Sequence, residues 1–263
     1  MTRPRPLLVA NWKANLAPRR EAALAVELVS RVAALEGLTE RCELFLTPST
    51  LGLTGVAREL ANSPIRLAAQ DCSSEGPGAH TGDTPAEHLA GLVDAVLIGH
   101  AERRRAHGEH GTLLGRKVGR AIAAGLRPIL CLDDVTSAPV TGRGSALADE
   151  WAAIVAGATA VGYDHDALLA SSLVIAYEPV DAIGSGQPLA PDAAQAAAAA
   201  IRTVVGTRLP VLYGGSITDA GADAYLAPAV NPAGELDGLL VGSAALAPAR
   251  LAAILATLVG DGR

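Results

Sequence analysis

Glu178 ends a short apolar run, Val174-Ile175-Ala176-Tyr177, and is followed at once by Pro179 and a loop containing Gly184 and Gly186. A short apolar run rich in β-branched residues reads as a buried strand. Pro179 cannot extend it and biases Glu178 toward an extended conformation. Burial raises a carboxylate's pKa toward neutrality, so a carboxylate fixed at the mouth of a strand beside a glycine-hinged loop could be a general base under a lid. On this segment alone, a strand-end glutamate in a surface salt bridge is an equal reading.

Three more side chains with usable chemistry follow other apolar runs. His100 comes after Ala95–Ile98 and could donate a hydrogen bond to a carbonyl or shuttle a proton; the other reading is a satisfied structural histidine. Lys13 could hold fixed positive charge toward an anion and an oxyanion. An exposed lysine at a helix start is the alternative, weakened because Lys13 and Lys117 are the only lysines among 21 basic residues. Asn11 could position Lys13 or donate to a carbonyl oxygen, or could simply be a turn residue. Gly214-Gly215-Ser216 and Gly242-Ser243 each precede a stretch of helical character. Backbone N–H groups at helix starts bind phosphate, and glycine permits close approach. Base, electrophile, cation and phosphate cradle together fit proton transfer alpha to the carbonyl of a small phosphorylated sugar. No metal-ligand set is evident and no cofactor is called for, so His100, Lys13 and Asn11 must stabilise the enediolate.

These residues need a frame that brings strand ends together. Eight short apolar runs supply it: 7–10, 43–47, 66–70, 95–98, 128–132, 174–177, 210–213 and 238–241. Stretches with helical spacing lie between them. Residues 20–35 align Ala23, Leu24, Leu28, Val32 and Leu35 on one stripe; 113–124, 146–161 and 247–259 behave alike, and 192–205 is a strong helix former opened by Pro191. Eightfold strand–helix alternation argues for parallel strands with helical crossovers. With no second composition zone, residues 1–263 are expected to form a single-domain α/β protein, a closed (β/α)8 TIM barrel whose chemistry sits at the strand ends. The runner-up, an open doubly wound sheet, would want a glycine fingerprint where Asn11-Trp12-Lys13 stands.

Composition narrows the function classes. The chain has 263 residues, 50% hydrophobic, enough for one large core. A net charge of −6 and no basic run argue against a nucleic-acid or membrane surface, so an anionic ligand must be met by a local site. Aromatics are 3%, which leaves Ala, Val and Leu to fill the core. Cys42, Cys72 and Cys131 are far apart and odd in number, which fits a reduced, cytoplasmic protein without structural zinc. The apolar stretch at residues 6–10 is too short for a signal peptide, and no run approaches a membrane span.

In order and spacing the motifs resemble the triosephosphate isomerase family along nearly the whole chain. Asn11-Trp12-Lys13-Ala14-Asn15 is similar to the family's NWKMN, and Gly99-His100-Ala101-Glu102-Arg103-Arg104 to its GHSERR. The run from Tyr177 to Gly186 is similar to YEPVWAIGTG, Tyr213-Gly214-Gly215-Ser216 to YGGS, and Val241-Gly242-Ser243-Ala244 to VGGA. The resemblance implies interconversion of dihydroxyacetone phosphate and glyceraldehyde 3-phosphate, without a cofactor. It implies Glu178 as base, His100 as neutral electrophile, Lys13 and Asn11 beside the substrate, and Glu102 in support with an arginine. Phosphate would fall to Gly184, Ser216, Gly242 and Ser243. Residues 78–83 are similar to the family's dimer-interlocking loop and imply a homodimer, although His80 stands where an aromatic anchor would be.

Departures from the family cluster on the ligand face. Ala101 replaces a serine, Asp181 a lid tryptophan, Ser243 a glycine, and Cys131-Leu132-Asp133-Asp134 the family's CIGE; Gln187-Pro188-Leu189 replaces the usual far hinge of a lid over 179–189. They admit two alternatives: an isomerase of a four-carbon ketose phosphate, and a weakly active phosphate-binding paralogue.

Overall fold

The computed structural model describes residues 5–133, 143–179, 188–217, 221–226 and 235–259. Eight strands, β1 (Leu7–Asn11), β2 (Glu43–Thr47), β3 (Arg66–Ala69), β4 (Ala95–Ile98), β5 (Arg127–Asp133), β6 (Val174–Glu178), β7 (Val211–Tyr213) and β8 (Gly238–Val241), pair in sequence order into a closed barrel. Every ladder is parallel, and β8 closes onto β1 with Leu7 opposite Gly238 and Ala10 opposite Val241. Closure excludes the open doubly wound sheet. Ten α-helices run outside among the described residues: α1 (Pro18–Ala33), α2 (Leu38–Arg41), α3 (Leu53–Leu60), α4 (Ala86–Leu89), α5 (Ala101–His107), α6 (Thr112–Ala123), α7 (Arg143–Thr159), α8 (His165–Ala170), α9 (Pro191–Val205) and α10 (Pro248–Val259). None of them is long and apolar enough to cross a membrane.

Strand alternation divides the core in two. Leu7 and Val9 point into the barrel with Leu97, Ile129, Ala176 and Leu240, while Leu8 and Ala10 face the helices. Small inward residues such as Ala68, Ala95 and Ala176 leave room for Phe45, the only phenylalanine of the chain, which is fully buried. The guanidinium carbons of Arg66 and Arg127 lie 5.0 and 5.6 Å from its ring centroid. Both arginines also pair with Glu43, and Arg66 reaches Asp94 at 2.8 Å. These ion pairs lie at the lower mouth, opposite the end where β6 delivers Glu178, and Glu43 and Arg127 line a cavity there.

The strands lie where the apolar runs put them, with small shifts: β3 stops at Ala69 and β5 extends from Arg127 to Asp133. Along the first helical stretch Leu28 and Val32 are buried and Leu24 and Leu35 pack against the core as expected, but the edge of the stripe differs. Ala23 is exposed, and the buried stripe of α1 is Glu21, Ala25, Leu28 and Val32. Glu21 is tolerated inside because Ser49 offers it two donors, the backbone N–H at 2.7 Å and the hydroxyl at 2.8 Å. Spacing alone cannot reveal a partner 28 residues away.

Candidate active site

The upper mouth holds a cavity of about 290 Å³ lined by Asn11, Lys13, His100, Glu102, Glu178, Gly214, Gly215, Ser216, Gly242 and Ser243, among others. The structure therefore gathers in one place nearly all the residues singled out from sequence. Gly184, Asp181 and most of the 179–189 segment lie outside the described residues, as does Asp134.

Glu178 is the last residue of β6 and is only 2% exposed, which removes the surface salt-bridge reading. Its Oε2 accepts from the Ala101 N–H at 2.9 Å, and its Oε1 lies 3.0 Å from His100 Nε2. His100 caps α5, and its Nδ1 accepts the Glu102 N–H at 3.2 Å. A nitrogen that accepts an N–H carries no proton of its own. This contact assigns a neutral ring with its one proton on Nε2, aimed at the cavity. Gly99 makes the placement possible. Its φ is +69°, and a Cβ there would meet both δ-methyls of Leu114 at 3.0 Å.

Lys13 is the single non-glycine residue with positive φ among those described, at 53°. Such a conformation persists only when its surroundings over-determine it. Asn11 Oδ1 accepts the Lys13 N–H at 2.9 Å, and Gln70 Nε2 donates to the Lys13 carbonyl at 2.7 Å and to the Thr47 carbonyl at 3.0 Å. Lys13 Nζ reaches Glu102 Oε1 at 2.7 Å. Burial alone would raise the Glu102 carboxyl, but the Lys13 hydrogen bond and charge outweigh it and hold the group below the usual carboxylate range. Glu102 thus answers Lys13, and the nearby charge of Arg105 acts on it in the same direction.

Sequence reading missed Gln70, and it missed the bracing under α5. Arg103 and Lys117 meet Glu109 at 2.5 and 2.8 Å and Asp71 at 2.9 and 2.8 Å, with Lys117 and Glu109 buried. Burial, with Glu109 nearby, pushes the Asp71 carboxyl up against the pull of its two cations. Arg104 ties the Gly99 and Cys131 carbonyls and Glu150 together at 2.7–2.8 Å. The scarcity of lysine was the one available signal, and it marked Lys117 as well as Lys13.

The glycine pairs line the cavity, and each precedes helical structure among the described residues. Ser243 opens a single 3-10 turn, Ser243–Leu246, and α10 begins only at Pro248, whose fixed φ suits a first helical position. After Gly214-Gly215, the described chain next turns helical in the 3-10 turn Asp223–Tyr225. Backbone N–H groups and the Ser216 and Ser243 side chains are then what these loops offer an anion.

Among the described residues no group of three or more His, Cys, Asp or Glu is arranged to hold a metal ion. Cys42, Cys72 and Cys131 are buried and none is in a disulfide, and burial pushes the Cys42 and Cys72 thiols up to about 12.

A parallel eight-stranded barrel with this site at its upper mouth defines the class of protein: an isomerase on a (β/α)8 barrel. The triosephosphate isomerase family model matches residues 6–258. Proteins named triosephosphate isomerase are similar along nearly their full length. That of Gluconacetobacter diazotrophicus is 37% identical over 92% of this chain and 94% of its own. Those of Xanthobacter flavus and Symbiobacterium thermophilum are 36% and 35% identical, each over 95% of this chain and 96% of its own. The chain belongs to the triosephosphate isomerase family.

Proposed function

We propose that the chain interconverts dihydroxyacetone phosphate and glyceraldehyde 3-phosphate, with Glu178 as base and His100 as electrophile. The observation that carries this reading is one small cavity in which a buried carboxylate, a neutral imidazole, an ammonium and two glycine-serine loops converge. The Glu178 carboxylate takes a proton from the carbon beside the carbonyl. The released electron pair forms the enediolate double bond, and the carbonyl oxygen becomes anionic. His100 Nε2–H donates to that oxygen, and the Lys13 ammonium offsets its charge. Asn11 keeps Lys13 in its unusual backbone conformation. His100 passes its Nε2 proton to the former carbonyl oxygen and takes the proton of the adjacent hydroxyl in return. The carboxylic acid at Glu178 then protonates the former carbonyl carbon while the deprotonated oxygen re-forms a carbonyl on the neighbouring carbon, which leaves the isomer. Phosphate falls to Ser216, Gly242 and Ser243, with Gly184 as a fourth contributor.

In the resting arrangement both Glu178 oxygens are engaged, one by Ala101 and one by His100. Release of the carboxylate toward substrate therefore also frees the His100 proton for the substrate oxygen. At about 290 Å³ the cavity is near the low end for ligand sites, which suits a small phosphorylated sugar. Together with the relatives' name, this favours the three-carbon over the four-carbon substrate. Steady-state turnover of both triose phosphates tests the reading: activity no higher than that of a Glu178→Ala control would end it.

The exposed loop 78–83 supports a homodimer, testable by sedimentation at twice the 26.5 kDa chain mass; a monomer at micromolar concentration would oppose it. The cytoplasm is the compartment this reading implies, and cell fractionation would test it.

A further inference from the structure

Behind the candidate phosphate cradle two tyrosines hold one backbone residue at both its polar ends. Tyr213, the last residue of β7, accepts the Leu189 N–H on its hydroxyl at 2.8 Å. Tyr225, in the 3-10 turn Asp223–Tyr225, donates its hydroxyl to the Leu189 carbonyl at 2.7 Å. The two rings stack with centroids 4.6 Å apart and planes 18° from parallel. Burial pushes both phenols above their ordinary range, so both keep the protons that the arrangement needs. Gln195 of α9 secures the turn from below by donating to the Tyr225 carbonyl at 2.6 Å.

The stack reaches the ligand face through Gly215. A Cβ on that residue would lie 2.0 Å from the Tyr213 hydroxyl oxygen and 2.3 Å from the ring carbon that bears it, so the loop rests directly on the tyrosine. Any shift of the Tyr213 ring must move Gly215 and Ser216. Tyr225 is what prevents that shift, because it covers one ring face and shares the same anchor at Leu189. Leu189 is also the far end of the segment that begins just after Glu178.

We propose that Tyr225 is a positioning residue for the phosphate-binding loop at Gly214–Ser216, acting through Tyr213 and Leu189. This rests on the reading of that loop as a phosphate cradle. Tyr225 does not line the cavity and touches no reacting atom. Its loss should therefore weaken phosphate binding equally in ground and transition states, which raises KM and leaves kcat nearly unchanged.

The test compares wild type with Tyr225→Phe, which keeps the stacked ring and removes only the hydroxyl. Inorganic phosphate serves as probe for Kd, with KM and kcat for the triose phosphates and amide exchange at Leu189 alongside. The loss of one net hydrogen bond predicts a rise of about fivefold in phosphate Kd and in KM, kcat within about twofold, and about fivefold faster exchange at Leu189. Tyr225→Leu, which also removes the stacking, should give the larger rise in both constants. Unchanged phosphate Kd and KM in Tyr225→Phe would overturn the proposal, as would a fall confined to kcat. A wild-type protein that binds no phosphate would overturn the cradle reading, and the proposal with it, so the two failures are distinguishable.

Discussion

Replacing Glu178 by glutamine keeps the shape of the side chain and sets two consequences against each other. The carboxylate accepts two N–H groups, from Ala101 at 2.9 Å and from His100 Nε2 at 3.0 Å. A carboxamide has one accepting oxygen and one donating NH2, so in either orientation one of those N–H groups faces another donor. His100 cannot relieve the conflict by moving its proton to Nδ1, because Nδ1 already faces the Glu102 N–H at 3.2 Å. Little of either side chain is open to solvent, with Glu178 2% and His100 6% exposed. The structural loss is at least one hydrogen bond to a charged group, about 1.5–3 kcal/mol. For a chain of this size that corresponds to a fall in Tm of about 3–10 °C. The chemical loss is the base itself, about 10²- to 10⁴-fold in turnover. Calorimetry and a coupled turnover assay on Glu178→Gln read the two separately. Turnover within tenfold of wild type would refute Glu178 as the base. An unchanged Tm would refute the account of its resting hydrogen bonds.

Two further predictions follow from the frame of the site. Gly99→Ala must adopt a left-handed backbone, costing about 1–2 kcal/mol, and must crowd Leu114; Tm should drop and kcat/KM fall about tenfold or more as His100 shifts, whereas wild-type values for both would contradict the role given to Gly99. The Glu43 carboxyl, though burial alone would raise it, is held below its ordinary range by hydrogen bonds and charges from Arg127 and Arg66. A depressed folded-state pKa gives stability that is complete above the unfolded value of about 4.3 and is lost as pH falls through the folded pKa. Glu43→Gln should flatten the acid arm of the stability–pH curve in urea titrations; an acid arm identical to wild type would refute the contribution of these ion pairs.

The sequence by itself determined the barrel and the identity of its rim. Eight apolar runs at regular spacing leave few ways to bury eight strands, and Asn11, Lys13, His100 and Glu178 each stand at the end of a run, where a barrel puts its chemistry. Those features are local, so period and punctuation reveal them. The tertiary structure decided everything that depends on partners distant along the chain. It put Glu21 of α1 inside, because Ser49 could satisfy it. It showed that Glu102 answers Lys13 across 89 residues, and that Gln70 holds Lys13 in a strained conformation across 57. It buried Lys117 among two carboxylates and an arginine, and it joined Tyr213 and Tyr225 over Leu189. Hydrogen bonds and ion pairs need distances of about 3 Å and defined angles, and residue order does not encode these until the chain has closed on itself.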